Sequence, residues 1–321
     1  MSIFYILVNN IYGDYMRIRL GYACICNGIK GTSSTNYTYA EYLNNNNLNK
    51  LEEAIISNLE VLEEIIIYNI KNNIHFYRMS SKIIPLATKE DVIFDYIDKY
   101  KSYYDRIGRL IKRDNMRVDF HPDQFTVLNS TKKEVVDNTF KILDYHYKLL
   151  DALGIKDKVL VLHIGGNTFG KDNSIRRFIN NYNKLPNYLR ESIVIENDDK
   201  VFNVSDCIKI SKEIVTPIVL DYHHHNCNKC DFNIEDVIDS CGERIPKMHF
   251  SSPKNKKDYR SHSEYVSSDE FISFIDILKK YDRSVDIMIE AKAEDDALFR
   301  LVRELKYKTG YKFIDDTSFE V

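Results

Sequence analysis

The stretch from residue 158 to residue 225 contains three apolar runs that each end in a polar side chain: KVLVLHIGG (158–166), SIVIENDD (192–199) and PIVLDYHHH (217–225). Each run is short, continuous and rich in β-branched residues, which is typical of a strand buried on both faces. Helical patterns at Ser174 to Arg190 and at Val204 to Ile214 separate the runs. Buried strands that alternate with helices predict a parallel sheet covered by helices.

The same alternation extends over nearly the whole chain of 321 residues. Strands are predicted at Met16 to Tyr22, Ile74 to Met79, Arg117 to His121, Lys158 to Ile164, Ser192 to Glu196, Thr216 to Tyr222, Pro246 to Phe250 and Val285 to Glu290. Helices are predicted at Asn47 to Asn72, Phe94 to Arg113, Lys133 to Leu153, Ser174 to Arg190, Val204 to Ile214, Ile234 to Ser240, Asp269 to Tyr281 and Asp295 to Lys306. This repeat predicts a single-domain (β/α)8 TIM barrel of the α/β class, with an open doubly wound sheet as the alternative.

Composition is typical of a soluble intracellular protein. The chain is 44% hydrophobic and 29% charged, so it has enough apolar residues for a large core. A formal charge of -3 argues against a protein that coats nucleic acid by bulk electrostatics. A local rim of basic residues is still compatible with this net charge. Six cysteines without a cleavable signal predict reduced thiols and a cytoplasmic location. The apolar segment from Ile3 to Val8 is too short to span a membrane.

Six consecutive predicted strands end in a histidine or a carboxylate. These residues are His121, His163, Glu196, Asp221, His249 and Glu290. In a barrel, the carboxyl ends of all strands meet on one face, where active sites are built. Imidazoles and carboxylates without thiolates are the ligand set of manganese, iron, zinc or magnesium. The pattern therefore predicts a metal centre, and at least one of His223, His224 and His225 is expected to join it.

Two lysines lie two residues away from these strand-end ligands. Strand alternation puts Lys247 on the same side as His249, inside the barrel, where an unpaired ammonium would be poorly solvated. Either a carboxylate neutralises Lys247 or its amine is chemically modified. Lys292 repeats this spacing after Glu290, where an ion pair and a catalytic role are equally compatible with the sequence.

A cluster of basic residues follows the seventh predicted strand, in the sequence SSPKNKKDYRSH (251–262). Lys254, Lys256, Lys257 and Arg260 all lie on this one βα loop, which we call the basic loop. Because βα loops surround the face that carries the metal ligands, the basic loop is expected to meet an anionic polymer lying across that face. A solvated charged loop is the alternative.

Two weaker motifs are interpreted as ordinary loop features. Cys227 and Cys230 form one C-x-x-C without a second pair at zinc spacing, so reduced loop thiols are favoured over a zinc site. The glycines at 165, 166 and 170 do not reproduce the dinucleotide-binding fingerprint. No nucleotide cofactor is therefore expected.

Eight motifs occur together in an order and spacing that resemble the UV damage endonuclease family: LGYA (20–23), FHPDQF (120–125), LHIGG (162–166), IENDDK (195–200), LDYHHH (220–225), PKMHFSSP (246–253), RSH (260–262) and IEAK (289–292). The resemblance runs from about Arg17 to about Leu305. It implies a TIM barrel with a divalent metal cluster, usually Mn²⁺, with Zn²⁺, Co²⁺ or Mg²⁺ also compatible. It also implies cleavage of duplex DNA immediately 5′ to cyclobutane pyrimidine dimers and 6-4 photoproducts, by metal-assisted hydrolysis that leaves 3′-hydroxyl and 5′-phosphate ends.

Matched position by position, the resemblance implies metal ligands at His121, His163, Glu196, Asp221, His224, His249, His262 and Glu290, with a carboxylated lysine at Lys247. Lys247, His249, Glu196 and Glu290 are the expected catalytic residues among them. Residues that probe the lesion fall on Tyr22, Gln124 and Phe125, and Asn27 is the nearest candidate for a further asparagine. Phe125 replaces the aromatic hydroxyl that is common in the family, and Asn27 is displaced from its usual place. These departures concern lesion contacts and not the hydrolysis.

The resemblance also implies boundaries and a partner. Residues 1–15 are an N-terminal extension, either a tail or the product of an upstream start before Met16, followed by the barrel at 16–308 and a C-terminal tail at 309–321. The expected partner is damaged duplex DNA, bound by a monomer without membrane association. The alternatives are an abasic-site endonuclease, a metal-dependent sugar isomerase on the same barrel, and a non-catalytic damage-binding module. The basic loop and FHPDQF favour DNA over sugar, and the complete ligand set favours an enzyme.

Overall fold

The strands close into a barrel in the computed structural model, which describes residues 16–45 and 48–321. The parallel strands are β1 (Arg17–Ala23), β2 (Phe76–Met79), β3 (Arg117–Phe120), β4 (Leu160–His163), β5 (Ile193–Glu196), β6 (Ile218–Asp221), β7 (Lys247–Phe250) and β8 (Val285–Ile289). β1 pairs in parallel with both β2 and β8, so the sheet closes on itself. The predicted TIM barrel is confirmed, and the open sheet is excluded. The proposed extension at residues 1–15 lies outside the described residues.

Helices cover the outside of the barrel: α1 (Tyr39–Asn45), α2 (Leu48–Lys71), α3 (Lys101–Arg113), α4 (Lys133–Ala152), α5 (Lys171–Tyr182), α6 (Asn187–Ser192), α7 (Val204–Ile214), α8 (Tyr222–Cys227), α9 (Ile234–Ser240), α10 (Ser268–Leu278) and α11 (Glu294–Lys308). The helix predicted from Ser174 to Arg190 is divided into α5 and α6, because Pro186 cannot continue a helix and caps α6 instead. The helix predicted from Phe94 begins only at Lys101. Within the described ranges, no helix has the length and apolar character needed to cross a membrane.

The barrel interior is apolar on one side and charged on the other. Buried valines fill the side formed by β4, β5 and β6, at Val161, Val194 and Val219, two residues before the strand-end ligands. On the opposite side, Lys247 pairs with Asp119, and Asp286 accepts hydrogen bonds from Arg19 and Arg117. The ligands at the carboxyl ends of the strands therefore stand above a packed apolar layer on one side and a layer of ion pairs on the other.

Residues 309–321, which the sequence suggested as a tail, add two antiparallel strands to the barrel sheet: β9 (Lys312–Phe313) and β10 (Ser318–Glu320). β1 is longer than its neighbour β2, which pairs with it only from Gly21 onward. The edge of β1 from Arg17 to Arg19 is consequently free on that side, and β10 pairs with these residues. An unpaired strand edge buried against the protein would be costly, so the end of the chain completes the sheet.

An ion pair beside this added edge links β2 to the C-terminal segment. His75 Nε2 lies 3.1 Å from Asp315 Oδ2, and Nδ1 lies 3.5 Å from Asp114 Oδ2. The hydrogen bond to Asp315 raises the pKa of His75 above its usual value. Burial opposes ionisation of Asp315, but its bond with His75 and its other hydrogen bonds lower its pKa overall. A raised histidine pKa adds stability that is fully present below its unfolded pKa and is lost as pH rises through the folded pKa.

We therefore expect His75→Gln to lower the free energy of unfolding by on the order of 1 kcal/mol at about pH 5.5, and by less at about pH 9, where the imidazole is neutral in both states. Urea unfolding of both proteins at the two pH values measures the difference, with wild type as the reference at each pH. An equal loss at both values would show that the imidazole charge does not contribute to the stability of this segment.

Candidate functional site

The expected metal ligands converge at the carboxyl ends of the strands. His163, Glu196 and Asp221 are the last residues of β4, β5 and β6. His249 lies in β7, and His121 and Glu290 follow β3 and β8 by one residue. Since neighbouring parallel strands pair in register here, with His163 beside Glu196 and Asp221 beside His249, their inward-facing side chains meet at one depth of the barrel.

Glu196 is the centre of this cluster. Its side chain is only 1% exposed. Its two oxygens accept hydrogen bonds from His121 Nε2 at 2.8 Å and from His249 Nδ1 at 2.7 Å. His163 Nε2 lies 3.4 Å from one of these oxygens, and His224 Nδ1 lies 3.6 Å from the other. Burial opposes ionisation of Glu196, but the surrounding histidines hold its pKa well below the usual range. Glu196 thus brings four imidazoles around one carboxylate.

The donor atoms form three overlapping groups, each with all its candidate ligand atoms within 4.8 Å of one another. The groups are His121 with His163 and Glu196, Glu196 with Asp221 and His224, and Asp221 with His249 and Glu290. We call these the three ligand triads. Glu196 and Asp221 each belong to two triads, so a carboxylate connects each triad to the next. Imidazole and carboxylate donors in this arrangement suit a cluster of divalent ions of borderline or hard character.

The electrostatics of Asp221 favour a bound cation. Its Oδ2 atom is buried and has no hydrogen-bond partner among the described residues, and neither does Nδ1 of His163. Burial raises the pKa of Asp221 to about 8, to which the nearby carboxylates of Glu196 and Glu290 contribute. Burial likewise opposes protonation of His224, but Asp221 and Glu196 raise its pKa to about 9. A cation among these groups would hold Asp221 ionised and would bind the Oδ2 atom, which has only the longer contacts of 3.5 Å to His224 Nδ1 and 3.9 Å to His249 Nδ1. The donor set therefore fits a divalent metal.

The three consecutive histidines after β6 have different environments. The Asp221 side chain accepts a hydrogen bond from the backbone N–H of His224 at 2.7 Å and so begins α8. This turn directs His224 back to the triads, where its Nδ1 donates to the carbonyl of Asn197. His223 is buried and donates to the carbonyl of Arg260, and His225 packs edge-on against Phe232. Only His224 among the three joins a triad.

Lys247 points below the triads and forms a buried ion pair with Asp119. Burial lowers the pKa of Lys247 to about 8, and Asp119 opposes this decrease. The first of the two sequence interpretations, neutralisation by a carboxylate, is therefore realised in this structure. By contrast, Lys292 is exposed, and no described contact pairs it with Glu290.

Sequence reasoning missed two residues that hold the cluster together. Arg78 of β2 is buried, and its guanidinium donates to Glu290 Oε1 at 2.5 Å and to His249 Nε2 at 2.6 Å. Asn197 exchanges two hydrogen bonds of 2.9 Å with the backbone of Asp221 and joins the ends of β5 and β6. Arg78 could have been found as an arginine within a largely apolar predicted strand. Next to the triads, the four carboxylates of Asp119, Glu196, Asp221 and Glu290 lie near two buried cations, Arg78 and Lys247, and this local excess of acidic groups also favours bound metal.

His262 lies at the edge of the cluster. Its ring centroid is 6.3 Å from that of His224 and 5.5 Å from that of His223, and it belongs to none of the three ligand triads. The bridge between Pro253 and His262 closes the basic loop and sets the place of this imidazole. Lys254, Lys256, Lys257 and Arg260 are all exposed along the basic loop, and Arg260 pairs with Asp199 on the loop after β5.

Gln124 and Phe125 are exposed beside the triads. Both lie on the loop that follows β3, and Phe125 is 76% exposed. They line one side of a cavity of about 770 Å³, and His163 and His224 lie in the wall of the same cavity. This arrangement connects two ligand triads to an exposed glutamine and an exposed aromatic ring.

Tyr22 and Asn27, the other two expected lesion contacts, do not line this cavity. Tyr22 is fully buried, and its hydroxyl donates to Asn69 Oδ1 at 2.8 Å. Tyr22 points away from the barrel interior, toward helix α2, and is not exposed on the face of the triads, contrary to the expectation from the sequence. The amide of Asn27 donates to the carbonyl of Ala293 and to Asp296, while Asp295 accepts from its backbone N–H. Asn27 therefore fastens the loop after β1 to the start of α11.

Comparison with known proteins supports one family. The profile of the family described as UV-endonuclease UvdE matches residues 18–319. A UV DNA damage endonuclease of Bacillus cereus strain G9842 is 41% identical over 278 residues, covering 84% of this chain and 88% of the relative. The UV DNA damage endonuclease of Bacillus anthracis is 38% identical over 278 residues with the same coverage.

Solved structures agree at the level of the fold. The crystal structure of SacUVDE aligns with a TM-score of 0.82 and 31% identity, and covers 90% of this chain and 98% of that chain. Endonuclease IV from Thermus thermophilus aligns with a TM-score of 0.56 at 13% identity, covering 91% of this chain and 100% of that one, which shows a common barrel alone. Because the profile match spans the barrel and the relatives cover most of its length, this chain belongs to the UV-endonuclease UvdE family.

Proposed function

We propose that this protein is a metal-dependent endonuclease that nicks duplex DNA immediately 5′ to cyclobutane pyrimidine dimers and 6-4 photoproducts. The observation that carries the proposal is the row of three ligand triads at the open end of a barrel from the UV-endonuclease family. Cleavage would leave 3′-hydroxyl and 5′-phosphate ends. A DNA substrate would place the enzyme with the nucleoid in the cytoplasm.

The residues of the triads would hold divalent ions, for which Mn²⁺ is the preferred candidate: His121, His163, Glu196, Asp221, His224, His249 and Glu290. Such ions supply a nucleophile from water at neutral pH and stabilise negative charge on the phosphate and the leaving oxygen. Arg78 orients Glu290 and His249, and Asn197 fixes the backbone of Asp221. His262 would complete the ligand shell from the closed end of the basic loop, and Lys247 would do so as a carbamate.

Two exposed surfaces would contact DNA around this centre. Gln124 and Phe125 would enter the space that a displaced photoproduct leaves, since damaged bases stack and pair poorly and cost less to push out. The glutamine amide can hydrogen-bond the unpaired bases while the phenyl ring stacks. Lys254, Lys256, Lys257 and Arg260 would contact phosphates, because they are exposed on a loop at the rim of the same face. The proposed enzyme acts as a monomer.

Incubation of the purified protein and Mn²⁺ with end-labelled duplexes tests this proposal directly. One duplex carries a single thymine dimer, a second carries an abasic site, and a third is undamaged. We expect a single nick immediately 5′ to the dimer, no cleavage of the undamaged duplex, and loss of cleavage in EDTA with recovery on adding Mn²⁺. Cleavage at the abasic site alone would identify an abasic-site endonuclease. Specific binding to the dimer without any nick would identify a damage-binding module.

A further inference from the structure

Phe169 is an exposed aromatic residue in a strained backbone conformation on the loop that follows β4. Its side chain is 76% exposed, and its φ is 62°. A bulky residue with positive φ is an uncommon outlier whose backbone is strained, and an exposed phenyl ring gains no compensating burial. Neither folding nor packing accounts for phenylalanine at this position.

The loop that carries Phe169 begins at the metal centre. It starts immediately after His163 and ends at Gly170, where α5 begins, so it belongs to the βα loops on the face of the ligand triads. Gly165 and Gly166 line the same cavity as Phe125 and Gln124. Phe169 is three positions after Gly166, which limits the distance between their Cα atoms to roughly 11 Å. Phe169 therefore lies at the margin of the surface proposed to hold the lesion.

Hydrogen bonds join this loop to the loop that carries Phe125. Asn129 Nδ2 donates to the carbonyl of Gly166 at 2.7 Å, and Arg177 Nε donates to the carbonyl of Asn129 at 2.8 Å. Gly165, with a φ of 109°, allows the close approach, because an added Cβ would lie 2.4 Å from Asn129 Oδ1. The two loops form one connected unit.

Further bonds hold the backbone around Phe169 itself. Arg177 and Ser174 both donate to the carbonyl of Thr168, and Asn173 donates to the carbonyl of Phe169 at 2.7 Å. These hydrogen bonds hold the backbone of the turn in its strained conformation and leave the phenyl ring exposed. Strain that the surroundings enforce is characteristic of functional positions.

We propose that Phe169 is a second aromatic contact for DNA, which stacks on a base made accessible when the damaged duplex is opened beside Phe125. The proposal rests on the proposed function and adds a residue to its recognition surface. DNA is the occupant because the loop is continuous with the cavity that joins Phe125 to the ligand triads. Stacking on an aromatic side chain is tolerant of sequence and suits a lesion site flanked by any base.

Val215 offers a matched control at the other end of the barrel. Like Phe169, Val215 is apolar and exposed, at 88%, and its backbone has a left-handed conformation with a φ of 53°. Unlike Phe169, it caps the C-terminus of α7 on the face opposite the ligands. Phe169→Gly and Val215→Gly remove the same kind of strain. Neither melting temperature should fall markedly, since glycine adopts positive φ without a steric cost.

Binding of a fluorescent duplex with one thymine dimer to the Mn²⁺-loaded protein measures the contact. We expect Phe169→Gly to weaken binding roughly 5- to 100-fold, and Val215→Gly to bind like wild type. Phe169→Trp should retain binding, whereas Phe169→Leu should lose it. The slope of log K against log salt should stay unchanged, because the phenyl ring touches no phosphate.

Wild-type affinity in Phe169→Gly, or in Phe169→Leu, would overturn the proposal. Unchanged DNA binding with altered self-association in sedimentation would instead identify Phe169 as a contact between copies of this chain. The proposed function has a separate readout, because its failure appears as absent cleavage by the wild-type protein.

Discussion

Glu196→Ala is expected to abolish cleavage of dimer-containing duplex, with a loss of about 1,000-fold or more, and to reduce the bound metal. Glu196 belongs to two ligand triads and accepts hydrogen bonds from His121 and His249. Its removal therefore takes a donor from two groups at once and releases two imidazoles. The measurements are the initial rate of nicking and the metal content of the purified protein.

The barrel should stay folded in this variant, because residues at the carboxyl ends of barrel strands contribute more to function than to stability. Glu196→Gln keeps the size of the side chain and removes its charge, and we expect the same loss of activity from it. Glu191→Ala is the matched control, since Glu191 is exposed near the amino end of the same strand. Full activity in Glu196→Ala, or an unchanged metal content, would refute the role given to the triads.

Lys247→Arg is expected to lower cleavage by about 100-fold or more if Lys247 acts as a carbamate ligand. A neutral lysine amine attacks CO₂, a nitrogen–carbon bond forms, and a proton is released, which leaves an anionic oxygen donor. Arginine keeps the positive charge opposite Asp119 but cannot be carboxylated. The variant can therefore keep the ion pair of the unmodified protein but cannot form the anionic carbamate.

Activity should also depend on dissolved CO₂. We expect slower cleavage in CO₂-depleted buffer, recovery on adding bicarbonate, and a carbamate carbon signal in NMR spectra after labelling with ¹³C-bicarbonate. Lys292→Arg is the control, because Lys292 has the same spacing from Glu290 and is exposed. An active Lys247→Arg protein would show that Lys247 serves as the partner of Asp119 and not as a ligand.

The barrel and the place of its site could be predicted from local patterns. Continuous apolar runs alternate with helical periods, and each run from the third to the eighth strand ends in or is followed by His, Glu or Asp, as in IVIE (193–196) and IVLD (218–221). Strand alternation then places these polar residues on the inside at one depth. The inward direction of the Asp221 and Glu196 side chains could be predicted in this way, because it depends only on the alternation within β6 and within β5.

Contacts between distant strands could not be predicted in the same way. Arg78 reaches Glu290 and His249 across the barrel, and Lys247 reaches Asp119, because closure brings β2 and β3 opposite β7. Tyr22 is the reverse case. Its motif indicated a lesion contact, but its ring points to the outer side of β1, where helix α2 covers it and Asn69 accepts its hydrogen bond.

The sequence by itself determined the (β/α)8 repeat and the chemical identity of the strand-end donors, since both follow from short-range periodicity. The tertiary structure alone decided that β10 would cover the free edge of β1, that only His224 of three histidines would face the triads, and that Phe169 would stay exposed in a strained turn. Each of these outcomes depends on strand register, loop direction and hydrogen bonds between segments far apart in the chain, and such contacts leave no periodic pattern in the residues that make them.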